Sequence, residues 1–247
     1  YMLMKDVKAL RWSSASLTDA GAVRKINQDA CLDRPEAGLW VVADGVGGHN
    51  EGEIASHLIV DSLSQTGEHA RLSEFVDEVE DRLHEVHRIL VNRASGSANM
   101  IIGSTVAALL VHGQHGVCLW AGDSRIYRYR DGALVQITRD HSHVEELIEG
   151  GTLQPEDADK HPYGNVITRA VGAGEELFLD AELLTVHHAD RYLICSDGLY
   201  KEVNEAEIAG YMRYGDCVTI CRTLVALALE RGANDNVTVV VVNFNAA

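Results

Sequence analysis

The run Val237-Thr-Val-Val-Val-Val-Asn-Phe244 sets the strongest condition on the fold. Its β-branched side chains stiffen χ1 and favour extended backbone. They occupy both odd and even positions, and successive strand residues point to opposite faces of a sheet. Both faces of this strand therefore need apolar cover, which stacked layers supply and a single wet sheet does not. Two further apolar runs, Leu39-Trp-Val-Val-Ala43 and 191–196, read as buried strands of the same kind. Helical spacing appears at Ile54, Leu58, Ile59 and Leu63, then at Leu72, Phe75, Val76, Val79, Leu83, Val86 and Leu90. Glu74, Asp77, Glu78, Glu80, Asp81 and Glu85 lie on the polar side of the second helix and read as solvated surface.

Segments 104–111, 116–121, 125–130 and 133–138 are short and rich in β-branched or aromatic residues, with glycines between them. They predict an antiparallel meander, with Asp131-Gly132 as a two-residue hairpin turn. Residues 140–174 lack a period and carry Gly150-Gly151, Pro155 and Pro162, so an irregular surface excursion around a short helix at 144–149 is expected. Two more helices are expected at 204–212 and 216–231. Runs of helices and runs of strands give an α+β class of mainly antiparallel sheets with helices outside. No linker or repeat divides the chain, and 1–247 reads as one domain.

Charge and cysteine usage narrow the function. Acidic residues number 37 against 21 basic, a net charge of −16. That balance disfavours nucleic acid and anionic membranes as partners, but a bound cation can still make a local site attractive to a small anion. The five cysteines are odd in number and form no CxxC pair, as expected of free thiols in the cytoplasm. None begins a CxxxxxR loop, so a thiolate nucleophile for phosphate chemistry is not indicated. Residues 1–8 contain no signal-peptide core, and no apolar run reaches the length of about 18 residues that a membrane span needs.

Four acids share one context. Asp44 follows Trp-Val-Val-Ala, Asp123 follows Leu-Trp-Ala-Gly, Asp197 follows Tyr-Leu-Ile-Cys-Ser, and Asp235 shortly precedes the valine run. Asp-Gly beside a strand is also ordinary turn chemistry. Their joint occurrence favours convergence on a sheet rim, where hard divalent cations would offset the carboxylate charge. The Gly-rich stretch after Asp44 lacks the Gly-Lys-Ser/Thr of a P-loop and the third glycine of a dinucleotide fingerprint. His141, His143, His187 and His188 read as hydrogen-bonding or surface histidines, Trp40 and Trp120 as core, and Arg125 and Arg169 as partners in structural ion pairs.

The ordered set Arg24-Lys-Ile-Asn-Gln-Asp29, Asp44-Gly-Val-Gly-Gly-His49, Gly103-Ser-Thr105, Gly122-Asp-Ser-Arg125, Ile167-Thr-Arg-Ala-Val-Gly172, Cys195-Ser-Asp-Gly-Leu199 and Asp235-Asn-Val-Thr238 resembles the metal-dependent, type 2C serine/threonine protein phosphatases in their compact bacterial form. The resemblance implies a four-layer αββα sandwich. It implies two Mn²⁺ or Mg²⁺ ions, with Asp44 bridging them, the Gly45 carbonyl on one, and Asp197 and Asp235 on the other. Asp123 with Asp197 would form the third ion site of bacterial members. Asp29 would lie in the outer shell, Arg24 would grip the substrate phosphate, and 140–172 would be a flap beside the site. The implied activity is hydrolysis of phosphoserine and phosphothreonine in proteins by metal-activated water, opposing a bacterial Ser/Thr kinase, by a cytoplasmic monomer. A non-catalytic phosphoprotein-binding regulator on the same fold is the alternative, and lost metal ligands would be its signature. The secretion-system loci in which some compact members occur suggest one setting.

Two positions depart from the resemblance. Val46 stands where animal members carry a histidine proposed as general acid, and His49 is assigned to helix entry or surface. Gln28 stands where many members have Glu, which removes a negative charge near the metals. The substitution Gln28→Glu is expected to tighten Mn²⁺ binding; equal affinity in a calorimetric titration would contradict this.

Overall fold

The computed structural model describes residues 10–48, 50–95 and 101–246, without the side chains of Asp159 and Lys160. The expectations for 1–8 and for His49 lie outside the described residues. The chain begins with β1 (Leu10–Asp19), β2 (Asp29–Arg34) and β3 (Leu39–Gly47), followed by α1 (Glu51–Ser64) and α2 (Leu72–Ala94). Next come β4 (Ile102–Ser104), β5 (Val106–His112), β6 (His115–Ala121), β7 (Arg125–Arg130) and β8 (Ala133–Gln136). After α3 (His143–Glu149) and a 3-10 turn (Pro155–Lys160) the chain forms β9 (Asp180–Thr185) and β10 (Arg191–Cys195). It ends with α4 (Asp197–Tyr200), α5 (Glu205–Met212), α6 (Cys217–Glu230) and β11 (Val237–Ala246).

Two antiparallel sheets result, ordered β1-β11-β10-β7-β8 and β2-β3-β5-β6-β9, with β4 paired to β3. The valine run is β11, hydrogen-bonded on both sides by β1 and β10. Val237, Val239 and Val241 pack with Ile220, Leu224 and Ala228 of α6, whereas Val240, Val242 and Phe244 face Trp40 and Leu109 of the other sheet. Leu39, Val41 and Ala43 of β3 pack on the opposite side against Ile59 of α1 and Leu83 of α2. The order is helices, sheet, sheet, helices: the expected αββα sandwich. Trp40, Tyr192 and Phe244 meet edge-on in the middle layer, the geometry aromatic quadrupoles favour.

Local chemistry sets the element ends. Asn204 caps α5 in a reciprocal box with Glu207, and Asp216 accepts the Thr219 N–H at 2.7 Å to start α6. Asp131 and Gly132 both have positive φ, as the two-residue β7–β8 hairpin requires.

The meander expectation is corrected. Strands β5 and β6 pair, and β7 and β8 pair, but β6 and β7 lie in different sheets. The chain crosses the sandwich at Gly122-Asp123-Ser124, where Gly122 takes φ +112° and a side chain would strike Thr105. Segment 104–111 is likewise two strands, broken at Thr105. Strands β1, β2 and β9 are additional to the elements expected. The 140–174 region is the predicted irregular excursion; the bridge Ser104↔Val171 holds it to β4, and Ser142↔Ile167 joins its two arms.

Candidate metal centre and active site

The site arises where the middle layer changes chemistry. Trp40 and Val42 of β3 face the other sheet, and strand alternation puts Asp44 on that same face. By the same parity Thr105 continues Ala107 and Leu109, Ser196 continues Tyr192 and Ile194, and Thr238 continues Val240 and Val242. The interior is apolar through the sandwich and becomes Asp, Ser and Thr at one rim. Asp29 is the direct cross-strand partner of Asp44. Its carboxylate accepts hydrogen bonds from Ser196 Oγ (2.7 Å) and Thr238 Oγ1 (2.6 Å), stitching the two sheets together.

Asp44 is held through its backbone. Its N–H donates to Thr105 Oγ1 at 3.0 Å, and its carbonyl accepts from the Thr105 N–H and Ser104 Oγ. Asp197 opens α4, and Asp123 sits in the crossover. Asp235 precedes β11, next to Asn236, whose side chain accepts from the Gln28 N–H and donates to the Ala20 and Ile26 carbonyls. Asn236 thereby clamps the loop that carries Arg24 beside Asp235.

The structure brings Asp44, Gly45, Asp123, Asp197, Asp235 and Arg24 to one cavity of about 310 Å³, with Gln28, Thr105, Asn165 and Lys201 also in its wall. Asp29 lies behind Asp44 and does not line it. Arg24 makes a bidentate pair with Asp235 at 2.9 and 3.1 Å and remains 54% exposed. Lys201 Nζ reaches Asp197 Oδ2 at 2.5 Å and Asn165 Oδ1 at 2.8 Å. Asn236, Lys201 and Asn165 are site residues that sequence reasoning missed. The i,i+4 spacing of Lys201 from Asp197 was the available signal. The residues assigned bland roles keep them. Arg125 pairs with Asp140, and Arg169 and His141 pair with Asp180. Trp40 and Trp120 are buried.

The electrostatics suit a cation. Burial, then the charges of Asp29 and the other three acids, pushes the Asp44 carboxyl well above its ordinary range. Burial and Asp197 push Asp123 up to about 7. Burial pushes Asp29 to about 7 as well, against the hydrogen bonds from Thr238 and Ser196. Burial pulls the Lys201 ammonium down, but Asp197 and Asp123 outweigh it and hold it above its usual value. Among the described residues no three acidic, His or Cys side chains already form a closed cage. Arg24 and Lys201 draw two of the carboxylates to themselves instead. Asp197 Oδ1 is buried and has no hydrogen-bond partner. An orphaned carboxylate oxygen in an all-oxygen donor set fits Mg²⁺ or Mn²⁺.

A pH dependence follows. The folded chain holds protons on Asp29 and Asp123 more tightly than an unfolded chain, where such groups titrate near 4. Their contribution to stability is full below about pH 4 and is lost as pH rises through about 7. In chelator, the melting temperature should therefore fall between pH 5 and about 7.5 more steeply for the parent than for Asp123→Asn. Identical profiles would contradict this.

Residues 22–226 match the Protein phosphatase 2C family. The chain belongs to that family. Among relatives of this type 2C chain, the serine/threonine protein phosphatase PstP of Mycobacterium tuberculosis is 33% identical over 228 residues, covering 92% of the chain and 44% of PstP. The serine/threonine phosphatase stp of Listeria innocua is 31% identical, covering 92% of the chain and 94% of stp. The chain thus spans less than half of PstP and nearly all of stp. A structure described as PppA, a key regulatory component of T6SS in Pseudomonas aeruginosa, superposes with a TM-score of 0.88 at 43% identity, covering 96% of this chain and 98% of that one. The catalytic domain of PstP in complex with 2 manganese ions superposes with a TM-score of 0.85 at 31% identity, covering 96% and 99%.

Proposed function

We propose that this type 2C chain is a metal-dependent phosphatase that hydrolyses phosphoserine and phosphothreonine in proteins. The convergence of Asp44, Asp123, Asp197, Asp235 and Arg24 on one rim cavity carries this reading. Asp44, the Gly45 carbonyl, Asp197 and Asp235 would hold two Mn²⁺ or Mg²⁺ ions, with Asp29 behind them. When bound, such ions offset carboxylate charge and make water nucleophilic at neutral pH.

The chain's own residues do the positioning. Arg24 is exposed, planar and already makes two parallel hydrogen bonds to a carboxylate, the geometry that also fits two phosphoryl oxygens. The Asn236 clamp fixes its loop. Asn165 and Ile167 bring segment 140–172 into the cavity wall, where a flap would sense the residues flanking the phosphate. No nucleophilic side chain is needed: Ser196 Oγ is engaged with Asp29, and Cys195 is buried with its thiol pushed up to about 12 by burial.

In the cell we place this activity in the cytoplasm, in one domain, opposing a Ser/Thr kinase. The 43% identity to PppA supports a secretion-regulating setting. Arg24→Ala should lower kcat/KM by about 10- to 100-fold, roughly 1.4 to 2.7 kcal/mol, mostly through KM. Its Mn²⁺ affinity should stay equal or rise, because Asp235 is released. Unchanged kinetics would remove Arg24 from phosphate binding. A panel of phosphoserine, phosphothreonine and phosphotyrosine peptides with Mn²⁺ tests the function itself. Turnover of the first two supports it, and turnover of none refutes it.

A further inference from the structure

Lys201, like Arg24, brings into the cavity a charge that opposes what a metal centre needs. It caps the C-terminus of α4, four residues after Asp197, so one helical turn presents both side chains on one face. Its ammonium joins Asp197 Oδ2 to Asn165 Oδ1. The other oxygen of the same carboxylate, Oδ1, is the buried one without a partner. The two oxygens of Asp197 are therefore not equivalent: one is free for a cation, and the other is already neutralised.

The two basic residues of the cavity divide the acids between them. Arg24 interacts chiefly with Asp235, then with Asp197 and Asp44. Lys201 interacts chiefly with Asp197, then with Asp123 and Asp44. Lys201 thus serves the Asp197–Asp123 side, and Arg24 the Asp235 side. They differ in how easily they leave. Arg24 is on a loop and 54% exposed. Lys201 is tethered one turn from its partner, 38% exposed, and bonded to a second residue.

We propose that Lys201 is a built-in cation that takes the place of a third divalent ion between Asp197 and Asp123, so that this chain holds two ions rather than three. The inference rests on the metal-centre reading above. A divalent ion arriving at that position meets a like charge that cannot diffuse away. An ammonium is a compact point charge with three donors, enough to satisfy Asp197 and Asn165 together. Through Asn165 the same charge ties segment 140–172 to the site permanently, where a soluble ion would do so only when loaded.

Counting bound manganese by equilibrium dialysis on the intact chain tests this. The parent should bind two Mn²⁺ per chain, and Lys201→Ala and Lys201→Asp should each bind three. Circular dichroism identifies a variant that fails to fold, and either variant alone suffices. Three ions in the parent, or two in a folded variant, would overturn the inference and leave the metal centre standing. Fewer than two in the parent would overturn the metal centre itself, and the inference with it.

Discussion

Asp44→Asn is expected to lower Mn²⁺-dependent turnover of a phosphothreonine peptide by about 10³-fold, on the order of 4 kcal/mol, with the fold intact. The fold is spared because the backbone of Asp44 holds it in place. Its N–H and carbonyl bond to Thr105 and Ser104, and Asn keeps those bonds. The carboxylate is needed for cation binding alone. Without a cation it is a liability, half-buried opposite Asp29 in the β2–β3 register. Like charges directly across a ladder destabilise, and so does burial of an unpaired one. In chelator the variant should therefore melt at or above the parent's temperature. A variant that retains turnover, or that unfolds in chelator while the parent does not, would contradict this account of Asp44.

Gly45→Ala is expected to remove both activity and much of the stability. A Cβ at Gly45 would lie 2.0 Å from the Gly52 carbonyl oxygen and 2.7 Å from that of Gln28. Both are backbone atoms. One opens α1 and the other precedes β2, so relief means moving a helix start or separating strands. Overpacking against rigid backbone costs about 3 kcal/mol or more. For a chain of this size that lowers the melting temperature by roughly 6–12 °C. Gly48→Ala is the control, since a Cβ there meets nothing within 4 Å. A surface change of that kind should stay within about 0.5 kcal/mol. Similar melting temperatures for Gly45→Ala and the parent would show that the α1 start yields easily.

The layered fold and most of the candidate site are legible in the sequence. β11 had to be covered on both faces because its valines occupy both parities. Asp44, Asp123, Asp197 and Asp235 stood out because each adjoins an apolar run. Periodicity tells which residues share a face, but it carries no label for the sheet. The crossover at Gly122-Asp123-Ser124 therefore reads, in sequence alone, as a turn within one meander. Strands β1 and β9 escaped because they are mixed in composition. β1 alternates Trp, Ser and Thr, and β9 leaves most of its side chains exposed. Lys201 escaped because a single lysine on a short helix reads as solvated surface. Only the approach of Asn165, 36 positions earlier in the chain, gives it a second partner.

The proposed function requires that these carboxylates hold the ions on which hydrolysis depends. Its most direct measurement is phosphate release from one phosphothreonine peptide in three successive states of one protein sample: as purified with Mn²⁺, after exhaustive chelation, and after Mn²⁺ is restored. Activity should fall to background on chelation and return in full on restoration. Undiminished hydrolysis by the chelated protein would contradict that requirement.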